Sequence, residues 1–251
     1  MSAKGNGAPS IAKDAYGTPF HMVTRLIEVW PEFEELCKGD GDIVEPTAGD
    51  GAILRVLGLH VPAPRLHAVE LRAECEPTLR SLWIGSVTMG DTLVIPPRPS
   101  ALTMTNPPYS SFDQIARRYR PTSRHLGLLG RASWLFGAKE RSALVKAIGM
   151  PDCYGFPERP TFVRVEYRNE DGKLLASGGT DSVGAVWHIW SEPLVRGKAP
   201  RQVGKVVMLR LPTDDEVAAH VPPRRVITVS QAEWLTKKKR SKAISDVMYA
   251  A

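Results

Sequence analysis

Asn106, Pro107, Pro108 and Tyr109 stand in the stretch TNPPYS, directly after the apolar run ALTM. A proline cannot donate to a sheet ladder, so a strand has to stop there. It stops in an amide, two stiff residues and an aromatic ring, groups suited to facing a ligand. A second set lies upstream in EPTAGDG, residues 45–51. Gly49 and Gly51 follow a short apolar strand and open a helix, and without Cβ atoms they let a ligand approach the backbone closely. Glu70 ends the next strand, about 20 residues on, where the dinucleotide fold reaches for a ribose. A carboxylate there can accept from both ribose hydroxyls. Leu54 takes the place of the third fingerprint glycine, which disfavours a pyrophosphate. S-adenosylmethionine meets both conditions, having an adenosine to hold and no phosphate to cradle.

The elements that position these groups read as alternating strands and helices. TPFHMVTRLIEVW is expected to be a helix, with Pro19 in its first turn and Met22, Val23, Leu26, Ile27 and Trp30 at helical spacing. DIVEP, RLHAVEL, SVTMGD, ALTMTN and HLGLLG read as five strands. AILRVLGL, AECEPTLRSLW (with an awkward internal Pro77), SSFDQIARRYR (N-capped by Ser110 or Ser111) and AKERSALVKAIG read as helices. Past Gly149 the alternation breaks down. RPTFVRVEYRNEDGKLLASGGTDS reads as a hairpin or loop, VGAVWHIW and KVVMLRL as strands, and SQAEWL as a last helix with a Ser230–Glu233 capping box. The expected fold class is α/β, a doubly wound, mostly parallel, seven-stranded Rossmann-like sheet. The expected division is a disordered segment 1–13, a domain 14–212 with an inserted hairpin at 159–182, and a basic extension 213–251. Ligands in such sheets lie beyond the carboxyl ends of the strands, which puts EPTAGDG, Glu70, Asp91 and NPPY on one rim.

On these residues the sequence resembles a known family. EPTAGDGAIL is similar to motif I of the class I S-adenosylmethionine-dependent methyltransferases. NPPY is similar to the catalytic motif of the amino-methyltransferases, above all the DNA adenine-N6 group, and YGTPFHMV resembles their motif X. The order of motifs is that of the gamma class, and LLGRASWLFGAKERSALV, RPTF and DSVGAVWHIW resemble small phage-type adenine methyltransferases. The resemblance covers residues 16 to about 192. It implies that Tyr16, Thr18 and Pro19 border the methionine moiety, that Glu45, Ala48, Gly49 and Gly51 line the cofactor loop, that Glu70 holds the ribose and that Asp91 accepts from the adenine amine. Asn106, Pro107, Pro108 and Tyr109 then receive the target base, with Asn106 also beside the cofactor. Two departures stand out. Asp50 replaces the small or polar residue usual between the motif I glycines, and no large recognition domain follows the catalytic fold.

An adenine amine is a weak nucleophile because its lone pair is delocalised into the ring. Two preorganised acceptors, the Asn106 side-chain oxygen and the Pro107 carbonyl, would draw the nitrogen toward a tetrahedral shape, while Tyr109 offers the base a stacking face worth about 1–3 kcal/mol. No histidine or cysteine is required.

The charge balance suits a nucleic-acid partner: 33 Lys and Arg against 27 Asp and Glu, for a net +6. DNA is the expected partner, either duplex with the base flipped out or single strand. Arg117, Arg118, Arg120, Arg124, Arg131, Lys139 and Arg141 are candidates to hold phosphates near the rim, with Arg159, Arg164, Arg168 and Lys173 on the hairpin. Trp134 and Phe136 read as core residues sooner than base wedges. RNA adenine methylation, protein glutamine methylation and a nucleic-acid-binding protein with a vestigial site are the alternatives. The three cysteines are far apart and the six histidines scattered, so neither a disulfide framework nor a metal site is expected. With no signal-like N-terminus and no long apolar run, a reducing cytoplasm is the expected setting.

Overall fold

The computed structural model describes residues 17–135, 139–158, 164–179, 184–191, 195, 197–219, 224–228 and 230. The chain forms two compact units, residues 1–160 with 182–221, and 161–181 with 222–251.

In chain order the first unit begins with α1 (Phe20–Ile27) and α2 (Phe33–Lys38), followed by β1 (Ile43–Glu45), α3 (Ala52–Leu57), β2 (Leu66–Glu70), α4 (Glu76–Arg80) and β3 (Ser86–Met89). β4 (Ser100–Thr105), α5 (Phe112–Tyr119), β5 (Ser123–Arg131), α6 (Lys139–Ile148) and β6 (Asp152–Gly155) come next. Strands β7 (Arg164–Arg168) and β8 (Leu174–Gly179) belong to the second unit. The chain returns through β9 (Ala185–Trp190), β10 (Val206–Met208) and α7 (Asp214–Ala218), and β11 (Arg224–Thr228) is again in the second unit.

Eight strands form the large sheet, in the order β10-β6-β9-β5-β4-β1-β2-β3. β9 runs antiparallel to β5 and β6, and the remaining pairs are parallel. From β1 the chain moves outward through β2 to β3, then crosses back to β4 on the other side of β1 and continues to β5. The topological switch point is therefore between β1 and β4, the two strands whose ends carry EPTAGDG and NPPY. Both are buried through their middles because a parallel sheet is covered on both faces. Val44, Leu126, Leu128 and Trp190 from the sheet pack with Phe112, Ile115, Ala116 and Tyr119 of α5 and Leu144 and Ile148 of α6.

The sheet has eight strands where seven were expected. The extra pairing comes from β6, four buried residues just past Gly149, too short to show a period in the sequence. β10 then pairs parallel to β6 and makes the edge. The expected first helix ends at Ile27, and a separate α2 follows a turn through Trp30. Pro19 stands at the N-cap of α1, one position outside the expected place. Pro77 is harmless because it falls in the first turn of α4, where no intrahelical N–H is needed. Ser111 occupies the N-cap of α5 without a side-chain capping bond. Among the described residues, Thr213 and Glu216 form a capping box on α7; the partner expected for Ser230 lies outside them.

The second unit holds a three-stranded sheet, β11-β7-β8. β7 and β8 form an antiparallel hairpin closed by Asn169 and Gly172, which has φ +79°. β11 pairs parallel to β7 and so belongs with the hairpin, while α7 belongs to the first unit. This pairing joins segments far apart in sequence, and no local pattern signals it.

Candidate active site

The glycine turn is built from the end of β1. Gly49 (φ +58°) and Gly51 (φ +80°) both adopt left-handed conformations that strain any residue with a Cβ. Two bonds tie the turn to β2: Ala48 N–H donates to the Val69 carbonyl (3.0 Å) and Gly49 N–H to Glu70 Oε2 (2.6 Å). Glu70, buried at the end of β2, also accepts at Oε1 from the Arg72 backbone N–H (2.8 Å) and from Arg72 Nε (3.0 Å). The Arg72 guanidinium lies across the Gly49 turn, where a Cβ on Gly49 would meet it at 3.3 Å. Arg72 is a member of the candidate site that the sequence reading does not include. Its only signal was a position two residues past the acidic strand end.

Glu45, the last residue of β1, is 3% exposed, and its Oε2 has no hydrogen-bond partner among the described residues. Burial pushes its carboxyl well above the usual range; a backbone hydrogen bond with Leu54 opposes this, and the negative Asp50 and Glu70 add to it. An orphaned carboxylate oxygen is costly unless something cationic or protic fills the space beside it.

Asp91 is exposed just past β3, and its Oδ1 accepts from Leu93 N–H (2.8 Å), which fixes the carboxylate on its own turn. Thr18 is buried beside the N-cap residue Pro19 of α1. Tyr16 lies outside the described residues.

At the end of β4 the chain leaves the sheet through Asn106, Pro107, Pro108 and Tyr109 and enters α5. Pro107 is buried, while Asn106, Pro108 and Tyr109 are half-buried. Thr47, in the glycine loop, links this segment to β1: its Oγ1 lies 2.5 Å from Thr105 Oγ1 and 3.5 Å from the Asn106 carbonyl oxygen. The two motifs, 58 residues apart at this contact, thus touch through one hydroxyl pair. Nothing in the sequence distinguishes Thr47 from the other letters of its motif.

The arginines divide by role. Arg118 donates to the carbonyls of Thr92, Val94 and Ile95, so it clamps the loop after Asp91 and does not stand open to phosphate. Arg120 is buried and donates to the Ile148 carbonyl. Arg124 is at the start of β5, away from the rim, paired with Glu35. Arg141 donates to the Ser133 and Trp134 carbonyls. Arg117 is exposed on α5, and Arg131 is exposed at the end of β5, over the Tyr109 ring. Lys139 opens α6. On the second unit Arg168 donates to the Gly172 carbonyl, Lys173 is exposed, and Arg164 begins β7. Arg159 and Phe136 lie outside the described residues. Trp134 is in the core, as expected, and donates to Asp113 Oδ1 (2.5 Å). No cluster of metal-ligating side chains occurs among the described residues, and no helix among them is long and apolar enough to cross a membrane.

This arrangement is the class I methyltransferase fold, and solved structures show the likeness. A candidate RNA methyltransferase from Pyrococcus horikoshii superposes with a TM-score of 0.52 at 14% identity, over 76% of this chain and 93% of that one. A candidate O-methyltransferase from Agrobacterium tumefaciens gives 0.46 at 15% identity, over 83% and 99%. The 23S rRNA methyltransferase ErmE gives 0.45 at 16% identity, over 72% of each chain. At such identities the likeness is one of fold. No protein-family model matches the chain, and no curated sequence matches it.

Proposed function

We propose that this protein transfers the methyl group of S-adenosylmethionine to the exocyclic N6 amine of adenine in DNA. The observation that carries the reading is the juxtaposition at the switch point. The Asn-Pro-Pro-Tyr exit of β4 stands beside the glycine turn of β1, joined to it through Thr47. The donor set suits the cofactor. Glu45 Oε2, buried and without a partner, matches an ammonium group such as that of a methionine moiety. Glu70, held by Gly49 and by two donors of Arg72, keeps one lone pair, on Oε2, for a ribose hydroxyl.

When bound, S-adenosylmethionine supplies an electrophilic methyl group on a sulfonium. The chain's own residues do the positioning. Asn106 Oδ1 and the Pro107 carbonyl accept the two amine hydrogens and localise the nitrogen lone pair toward the methyl carbon. The stiffness of the two prolines means that these acceptors need no reorganisation. Tyr109 stacks on the base. In the transfer the N–C bond would form as the methyl–sulfur bond breaks, the sulfur leaving as a neutral thioether; the cationic nitrogen would then lose its surplus proton to solvent, so no general base is required.

Tritiated S-adenosylmethionine offered with DNA, RNA and protein pools, followed by nucleoside and amino-acid analysis, tests this. The expected product is N6-methyladenine in DNA. The label should vanish in Asn106→Ala while cofactor binding persists. Label in RNA would transfer the same site chemistry to the nucleic acid named for the Pyrococcus horikoshii protein, and label in protein glutamine would exclude a base as the target.

A further inference from the structure

Tyr109 is not alone on the rim. The Arg131 guanidinium carbon lies 4.9 Å from the centre of its ring, over the ring face. The strand register explains the contact. β4 ends at Thr105, paired with Leu128, so Leu129, Gly130 and Arg131 run on past the end of β4, alongside the exiting NPPY segment. This overhang is held by β9, where Arg131 pairs with Ala185 and Ala132 N–H donates to the Gly184 carbonyl. Gly130 admits Phe112 from the start of α5: a Cβ there would meet the Phe112 ring at 2.5 Å. Trp134 packs on Phe112 and donates to Asp113. Tyr109 and Arg131 are therefore carried by two elements locked together just below them.

The Arg131 head group is unlike those of Arg118 and Arg141, which donate to backbone carbonyls. It is exposed, and among the described residues it has no ion pair and no hydrogen-bonded acceptor, only the ring. A guanidinium held over an aromatic ring with no other partner still has N–H groups to donate, and two of them on one edge match a phosphate in bidentate fashion.

Resting on the proposed methylation of a nucleic-acid base, we propose that Arg131 and Tyr109 form one clamp for the target nucleotide. Arg131 binds the phosphate of the nucleotide whose base Tyr109 stacks on, and the cation–ring contact holds the tyrosine ready before the base arrives. Arg131 is then a specificity and positioning residue, coupling capture of the backbone to placement of the base. The methyl-transfer step itself stays with Asn106 and Pro107.

Wild type, Arg131→Ala and Arg131→Lys, each checked for fold by circular dichroism and for cofactor binding, would be compared for binding to a mixed-sequence duplex across a salt series, and for steady-state methyl transfer. Removing one phosphate contact should lower the slope of log K against log salt by about 0.9. Arg131→Ala should show that loss and a KM for DNA raised by about tenfold, the size expected of one charge-assisted contact. Arg131→Lys should recover the salt slope but not the KM, because an ammonium neither stacks flat nor binds phosphate in bidentate fashion. An Arg131→Ala protein with wild-type slope and KM would overturn the clamp while leaving the methyltransferase reading intact. A fall in kcat alone, at unchanged slope, would also overturn it, since Arg131 would then act on the ring without touching phosphate. Wild-type protein that binds and methylates neither DNA nor RNA would end both readings.

Discussion

Glu45→Gln separates binding from stability at one atom. Glu45 Oε2 is buried without a partner, and burial raises the carboxyl well above its ordinary 4.5. A carboxyl with a raised folded pKa binds its proton more tightly in the native state. Its contribution to stability is therefore greatest below about pH 4.5 and is lost as pH rises through the folded pKa, at about 1.4 kcal/mol for each unit of elevation. Glutamine keeps a carbonyl for the Leu54 backbone and carries no charge to bury. The substituted protein should accordingly be at least as stable as wild type near pH 8, and its advantage should shrink toward pH 4.5. Cofactor affinity should move the other way. Losing a charge-assisted contact to an ammonium costs about 1.5–3 kcal/mol, or about ten- to 150-fold in Kd. Calorimetry in buffers of different ionisation enthalpy adds a third readout. Wherever Glu45 is protonated in the free protein, a cation placed beside it should expel that proton, and the release should be absent in Glu45→Gln. Unchanged Kd together with unchanged proton release would refute the assignment. A protein destabilised at pH 8 would refute the account of the buried charge.

Glu70→Ala should weaken S-adenosylmethionine binding by about 1.5–3 kcal/mol, and Asp91→Ala should weaken it as well; calorimetric Kd values equal to wild type would remove both from the site. Thr47→Val, which keeps shape and removes the hydroxyl that bridges Thr105 and Asn106, should lower kcat several-fold at nearly constant cofactor Kd, for a lost bond worth about 1 kcal/mol, and Thr47→Ser should restore it. Replacing residues 164–178 by a short Gly-Ser link should spare cofactor affinity, weaken DNA binding and flatten its salt slope. Wild-type methylation with wild-type salt dependence after that replacement would make the hairpin dispensable, and the KKKRSK tail the better candidate for backbone contacts.

The groups that could do chemistry were legible in the chain because each is a local pattern. Two glycines after an apolar run make a turn wherever they occur, and prolines end a strand by lacking a donor, so Gly49, Gly51 and the NPPY exit could be placed from residue types and spacing alone. Alternation of strand and helix likewise implied a parallel sheet with its ligand side at the carboxyl ends. What the sequence could not show depends on contacts between segments far apart in the chain. β6 is four residues long and is recognisable only once β9 and β10 flank it. β11 joins the hairpin of the second unit through pairing that no nearby residue dictates. Arg118 and Arg131 are equivalent letters in a basic stretch. The fold turns one inward to three carbonyls and leaves the other on an aromatic ring, because β5 overshoots β4 while α5 lies against the Asp91 loop. The orphaned oxygen of Glu45, Arg72 across the glycine turn and the Thr47–Thr105 contact have the same origin. A side chain's type is a property of the sequence, but whether its polar atoms are already satisfied is decided by what the sheet register brings beside it.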